Sequence, residues 1–412
     1  MNTLTSSVSD VPDNRLQQAI TACMQAADGW LPFDDFMQAA LYTPGLGYYA
    51  HGSTKLGSLP ARVAADGTAQ PGSDFVTAPE LSGVFGQCLG AQVAQALQAT
   101  GTQCVYEFGA GSGAMALQIC AHLDLAGLAF TRYYIVEISA SLRARQQAKL
   151  AHLGERVQWL NALPQQMQGV VVGNEVLDAM PVKLLARTAV SGGVWHERGV
   201  CSAPLWATAP LATPLAEPLA EPGSPVPTNA APPSQWIWQD RPTDLRPPLD
   251  VPGSHDYLTE IHPQAEAFVH TLAAHLVRGA VFLIDYGFPE AEYYHPQRHM
   301  GTLMCHYQHQ ADPDPLDKVG DKDITAHINF TGIALAGQDA GLDVLGYAAQ
   351  GRFLMNCGLL TFLEQLAPLQ RAHAAKLATE HEMGELFKVI AFGKGADFEP
   401  IGFAAGDRTH TL

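Results

Sequence analysis

The most constraining feature of this chain is the run Val105–Tyr106–Glu107–Phe108–Gly109–Ala110–Gly111–Ser112–Gly113, followed by an apolar-periodic stretch over Ala114–Leu125. β-Branched and aromatic residues lead into three alternating glycines, and a helical pattern starts where the glycines end. The run predicts a strand, a tight turn and a helix N-terminus. Glycine lets a backbone approach a ligand without a Cβ in the way. The first-turn N–H groups of a helix have no intrahelical partner and favour an anionic group. An acid, Glu137, stands at the end of the next predicted strand, where a carboxylate accepts hydrogen bonds from ribose hydroxyls. The unit is therefore expected to be a nucleoside-binding βαβ half, with Gly109, Ala110, Gly111 and Gly113 forming the cradle. The glycines also satisfy the looser dinucleotide pattern, with Ala114 standing for its last glycine, so a nicotinamide cofactor competes. The plainest alternative is a strand–helix turn that binds nothing.

The rest of the chain supplies context for that unit. Its 412 residues are enough for a large core and for two lobes. No apolar run approaches the length that spans a bilayer, so no membrane insertion is expected. Residues 1–14 are polar, with acids but no Arg or Lys, unlike a secretory signal or transit peptide, and a cytoplasmic location is the simplest expectation. The seven cysteines contain no C-x-x-C pair and the sixteen histidines are dispersed, so neither a disulfide framework nor a metal site is expected. A net charge of −17 argues against nucleic acid, because phosphate contacts need a basic face. It would attract a basic protein substrate, although solubility alone accounts for it.

Residues 1–100 read as an N-terminal helical segment, with helices over 16–27, 32–42 and 81–97 and a Gly/Ala/Pro-rich loop over 52–72. From 101 to 201 strands at 103–108, 132–138, 156–160 and 169–174 alternate with helices at 114–125 and 139–153. That alternation predicts an α/β fold with a parallel sheet and helices on both faces. The stretch 202–254 holds thirteen of the 28 prolines and reads as an insertion loop, with Trp236 and Trp238 anchoring its far end. The pattern resumes over 255–412. An apolar helical face from Ala265 to Leu276 is stopped by Gly279, and strands are expected at 281–285 and 387–392. Ligands of such sheets lie beyond the carboxyl ends of the strands. Glu107, Gly109, Glu137, Asn161 and Glu175 all fall there.

Six segments in order carry a resemblance that the single motifs do not: 41–49 (LYTPGLGYY), 74–80 (DFVTAPE), 107–113 (EFGAGSG), 173–182 (GNEVLDAMPV), 284–287 (IDYG) and 323–330 (DITAHINF). From about residue 30 to 395 the chain resembles the MidA-like family of class I methyltransferases, whose mitochondrial members are complex I assembly factors assigned as protein-arginine N-methyltransferases. The resemblance implies a Rossmann-like sheet with an inserted substrate-facing element and S-adenosylmethionine as cofactor. It further implies a protein substrate, with a respiratory-complex subunit as its target class. The Gly-x-Gly-x-Gly form of the turn agrees, as does Glu107, two residues ahead of it, where class I enzymes place an acid near the methionyl amine.

A guanidinium substrate must be oriented and must lose a proton, and carboxylates serve both needs. Glu175 and Asp178 follow the 169–174 strand three residues apart. They share a face if a helical turn starts there, and are expected to be a clamp and a proton acceptor. The alternative is a pair of acids favouring a helix dipole. Asp285 and Tyr286 end another strand on the same rim, as pocket residues or as a cap and a packed ring. His327 is expected either to relay a proton near neutral pH or to be structural. Asn174 is placed near the methionyl group and Asn161 near adenine, the latter with a turn as its alternative. Tyr48 and Tyr49 either roof the site or pack. Thr77 and Glu80 either close over the cofactor or start a helix, the helix start being favoured. Two other classes stay open, a nicotinamide-dependent oxidoreductase and a cofactor-binding assembly factor without catalysis.

Overall fold

Strict alternation of side chains along a set of apolar strands decides the architecture. The computed structural model describes residues 14–50, 62–63, 69–70, 76–202, 236–308 and 310–412. Apart from two paired dipeptides, the loop expected over 52–72 lies outside the described residues, as does 203–235 of the proline-rich stretch. The central sheet is formed by β1 (Cys104–Phe108), β2 (Arg132–Val136), β3 (Val157–Leu160), β4 (Met167–Asn174), β5 (Leu276–Phe288), β6 (Asp343–Ala349) and β7 (Phe387–Lys394). Val105, Val170, Val172, Phe282 and Ile284 point to one face, beneath α1 (Gly83–Thr100) and α2 (Ala114–Leu125). Tyr106, Phe108, Val171, Val281 and Leu283 point to the other, against α3 (Pro263–His275) and α4 (Phe330–Asp339). Burial on both faces is why these strands read as continuous apolar runs. Each fully buried Val, Leu or Ile among them contributes roughly 1.5–3 kcal/mol.

The strand order is β6-β7-β5-β4-β1-β2-β3. Six strands run in one direction, but β7 runs antiparallel to both of its neighbours, β5 and β6. The expected all-parallel sheet is therefore corrected at that edge. Gly279 is a second correction. The helix ends at His275 and Gly279 lies inside β5, where a Cβ would meet the Gly169 carbonyl oxygen at 1.8 Å. It is a close strand crossing rather than a helix stop.

The inserted element that the resemblance implies is a second sheet, placed largely between β4 and β5, whose strands the sequence reading did not foresee. Trp30–Pro32, Lys183–Arg187, His196–Ser202, Trp236–Pro242 and Tyr257–Ile261 pair antiparallel in it. The loop expected over 202–254 is corrected from Trp236 to Pro242, a strand that pairs along the whole of His196–Ser202. Trp236 and Trp238 pack on Phe36 and Phe33 at 5.5 and 5.3 Å, and so seat the helix Phe33–Tyr42 against this sheet. That helix brings Tyr42 and Tyr49 over the carboxyl ends of β4 and β5. Among the described residues no helix is long and apolar enough to cross a membrane.

Candidate active site

The glycine turn forms as its composition dictates. Gly109, Gly111 and Gly113 have φ of +63°, +52° and +82°. A Cβ on Gly109 would lie 2.9 Å from Val176 Cγ2. The Gly113 N–H donates to the Ala110 carbonyl at 2.7 Å and closes the turn, and α2 starts there with no side-chain cap. Gly109, Ala110 and Gly111 line a cavity of about 1230 Å³, whereas Gly113 packs on Leu150 and Gln146 behind it.

Two acids flank the cradle. Glu107 is fully buried, accepting a hydrogen bond from Tyr133 Oη at 2.6 Å through Oε2 while Oε1 has no partner. Burial pushes its pKa up to about 8 against the lowering effect of that bond. Glu137 accepts from the Ser139 N–H at 2.8 Å and from Gln146 Nε2 at 2.9 Å, and burial raises it too. Gln146 also donates to the Gly111 carbonyl and accepts from Trp159 Nε1, each at 2.9 Å. It ties the turn to Glu137, a role its place among polar helix neighbours did not disclose. Asn161 is exposed on a bend after β3 and does not line the cavity, so its alternative as a turn residue is the one the structure shows.

The other end of the cavity is acidic. Glu175 and Asp178 line it together, but no helix follows β4 and the dipole alternative falls. A tight turn replaces the helix. Glu175 has φ +54°, a conformation that costs a non-glycine residue of order 1–3 kcal/mol. What holds it is Asp285, whose Oδ2 accepts the N–H groups of Val176, Leu177 and Asp178 at 3.1, 2.9 and 3.3 Å. Its Oδ1 accepts the Tyr286 N–H at 3.0 Å. Asp285 is buried outside the cavity lining, so its expected catalytic role is corrected to that of a positioning residue.

Glu175 accepts from Asn174 Nδ2 at 2.8 Å, and burial with the nearby Asp178 charge pushes it up to about 8. The carboxylate of Asp178 accepts a short bond from Tyr286 Oη, its other oxygen is buried without a partner, and burial raises it to about 6. Among the described residues neither acid forms an ion pair. Asn174 Oδ1 is also buried and unpartnered.

Aromatic rings complete the wall. Tyr42 and Tyr49 stack at 5.6 Å, and Tyr49 Oη donates to Asp323 Oδ1 at 2.8 Å. Tyr49 lines the cavity while Tyr48 is core. His327 stands edge-on to Tyr286 at 5.0 Å. Burial pushes its pKa down to about 4, and it lines the cavity as a neutral ring whose Nδ1 has no hydrogen-bond partner among the described residues. Glu80 accepts a hydrogen bond from Ser112 Oγ on the glycine turn, and Lys149 Nζ donates to the same hydroxyl at 2.6 Å. Thr77 caps nothing with its side chain. The favoured helix-start reading of this pair holds, since the short helix Ala78–Leu81 begins after Thr77 with Pro79 and Glu80 in its first turn, and both residues also line the cavity over the cradle. Sequence reasoning passed over Tyr42, Tyr133 and Gln146. For the two tyrosines the one signal was a polar tip inside an apolar pattern, which is weak without neighbours, and Gln146 had none.

A glycine cradle, two flanking acids and one antiparallel strand in this order define a class I methyltransferase. Residues 88–348 match the model of the family described as "Putative S-adenosyl-L-methionine-dependent methyltransferase", and the chain belongs to that family. A superfamily member from Burkholderia thailandensis, crystallised with S-adenosyl-homocysteine, is 44% identical with a TM-score of 0.83, covering 99% of this chain and 100% of that one. A second, native structure from the same organism is 41% identical with a TM-score of 0.80 and the same coverage. The mitochondrial protein arginine methyltransferase NDUFAF7 homolog of Drosophila melanogaster is 24% identical over 404 residues, 89% of this chain and 82% of the relative. Its Danio rerio counterpart is 24% identical over 403 residues, 89% and 84%. The chain is thus an S-adenosylmethionine-dependent methyltransferase, and the nicotinamide alternative is set aside.

Proposed function

We propose that this chain methylates a guanidinium nitrogen of an arginine in a protein substrate. One observation carries the reading: two carboxylates, the half-buried Glu175 and the buried Asp178, line the cavity and form no ion pair among the described residues, with an unsatisfied oxygen on Asp178 and rings around them. A buried acid is costly unless paired, and a planar guanidinium matches carboxylate geometry and stacks on aromatic faces. The names of the curated relatives support the same substrate.

The cofactor supplies an electrophilic methyl on a sulfonium when bound. The cradle at Gly109–Gly111, whose backbone lines the cavity with no side chain beyond one methyl, fits its nucleoside part. Glu107, through its free Oε1, and the orphaned Asn174 Oδ1 fit an ammonium, and Glu137 fits ribose hydroxyls. Glu175 and Asp178 hold the guanidinium. Asp178, with Tyr286 on one oxygen and the other free, is the proton acceptor. Orientation of this kind supplies up to roughly 7–11 kcal/mol of a barrier. The reading carries with it a respiratory-complex subunit as target class and a cytoplasmic location, both resting on the sequence alone.

The test is mass spectrometry of arginine methylation in cells with and without the chain, complemented by wild type or by Asp178→Asn. Sites that vanish with the chain and return only with wild type are expected. Unchanged arginine methylation, or full rescue by the variant, leaves the assembly-factor reading in its place.

A further inference from the structure

A second cavity, of about 460 Å³, adjoins the first and shares Glu382 and Leu386 with it. Tyr347 of β6 lines it. The side chain is fully buried and its hydroxyl has no hydrogen-bond partner. A buried hydroxyl left unmade is costly, so this atom is suited to a partner that arrives from the cavity.

The charges around it say what kind of partner. Lys388 and Arg408 line the cavity, but both are committed to Glu385. Arg408 reaches its two oxygens at 2.5 and 3.2 Å, and Lys388 lies 3.6 Å away. Three acids remain. Glu380 forms no ion pair among the described residues. Glu292 and Glu382 make only pairs with Arg298 at 3.0 Å and Lys376 at 3.4 Å, whose solvent exposure keeps them weak. Over the lining as a whole four glutamates face one lysine and one arginine, so its surplus is negative, with the Tyr347 hydroxyl as an acceptor and the Phe288 and Tyr347 rings beside it.

We propose that this cavity is a subsite for a basic side chain, lysine or arginine, that neighbours the target residue in the protein substrate. The inference rests on the arginine reading above. A substrate segment crossing the shared wall at Glu382 and Leu386 would place one side chain in each cavity. The chain's net charge of −17 then has a use beyond solubility, since it draws in a basic segment.

The experiment measures binding to the full chain loaded with S-adenosylhomocysteine. Fluorescent peptides carry one arginine, a glycine spacer of increasing length, and then lysine or glutamine. At one spacing lysine is expected to tighten binding about tenfold over glutamine. Tyr347→Phe, which removes only an unbonded oxygen, and the double variant Glu292→Gln with Glu380→Gln should each erase most of that gain. The affinity of the glutamine peptides should stay where it was. No gain at any spacing, or a gain that survives both variants, overturns the subsite. Turnover is read in parallel: methylated arginine without a lysine gain removes the subsite alone. A lysine gain that is lost in the variants, with arginine left unmethylated, keeps the basic-residue subsite and removes the arginine reading.

Discussion

The two ends of the active-site cavity are built in opposite ways. The cofactor end comes from a contiguous stretch, Glu107 to Ser112, plus Glu137 on the adjacent strand. Its recognition surface is largely backbone, and Glu137 already has local donors on both oxygens. The acid end is assembled from distant segments: Tyr42 and Tyr49, Glu175 and Asp178, Tyr286, then Asp323 and His327. Glu175 and Asp178 stand close together there, half-buried and buried, and form no ion pair among the described residues. The first end is therefore largely satisfied in advance, with Glu107 Oε1 as its one buried oxygen left open. The second gathers carboxylates that, on the proposed reading, the cationic substrate pairs.

If that division is right, the largest effect comes from the acid end. Glu175→Gln and Asp178→Asn should each lower the methyl-transfer rate about 10²–10⁴-fold, the range for a positioned acid or base. Calorimetry should show S-adenosylhomocysteine affinity unchanged, and a parallel loss of affinity would erase the division. Gly109→Val should do the reverse. It forces a β-branched residue to φ +63° with its Cβ 2.9 Å from Val176 Cγ2. A strain of about 1–3 kcal/mol predicts a ten- to hundredfold loss of cofactor affinity. Tight binding by this variant would mean the cofactor sits elsewhere.

The acid levels give a third contrast. Glu107 and Glu175, at the two ends, are both raised from 4.5 to about 8. The folded protein therefore holds protons that the unfolded chain releases. Their stabilising contribution is present in full below pH 4.5 and is lost as pH rises through about 8. Melting temperature of the cofactor-free protein should fall over that window, and Glu107→Gln or Glu175→Gln should each flatten the decline. A flat profile in the wild type contradicts the burial of these acids. The smallest effect is Glu80→Gln, which weakens one charge-assisted bond to Ser112. Cofactor affinity should fall about two- to threefold, the scale of a partly exposed pair, with the rate at saturating cofactor unaltered. A larger loss would make Glu80 part of the cradle itself.

What could be read from the chain before folding follows the same division. Strands β1 to β4 and α2 were legible because alternation and periodicity are local signals. The cradle was legible because only glycine tolerates its backbone. The second sheet was not. Its strands are short, two contain proline at an end, and their partners lie far apart in the chain, as Trp30 pairs with Cys201. Asn161 was misplaced because a polar residue after a strand marks a turn as readily as a ligand. Asp285 was recognised as important, but its task was invisible, since three N–H groups from residues 176–178 reach it only after β4 and β5 lie side by side.

The sequence by itself determined the sheet's central strands, the glycine turn and the two acids beside it, because backbone stereochemistry and side-chain period act over a few residues. Only the tertiary structure decided that Glu175 and Asp178 share a cavity with Tyr286 and His327 and face it uncompensated. It alone put Asp285 beneath them as a support. Charge and burial depend on which segments meet, and that is settled by packing across more than a hundred residues of intervening chain.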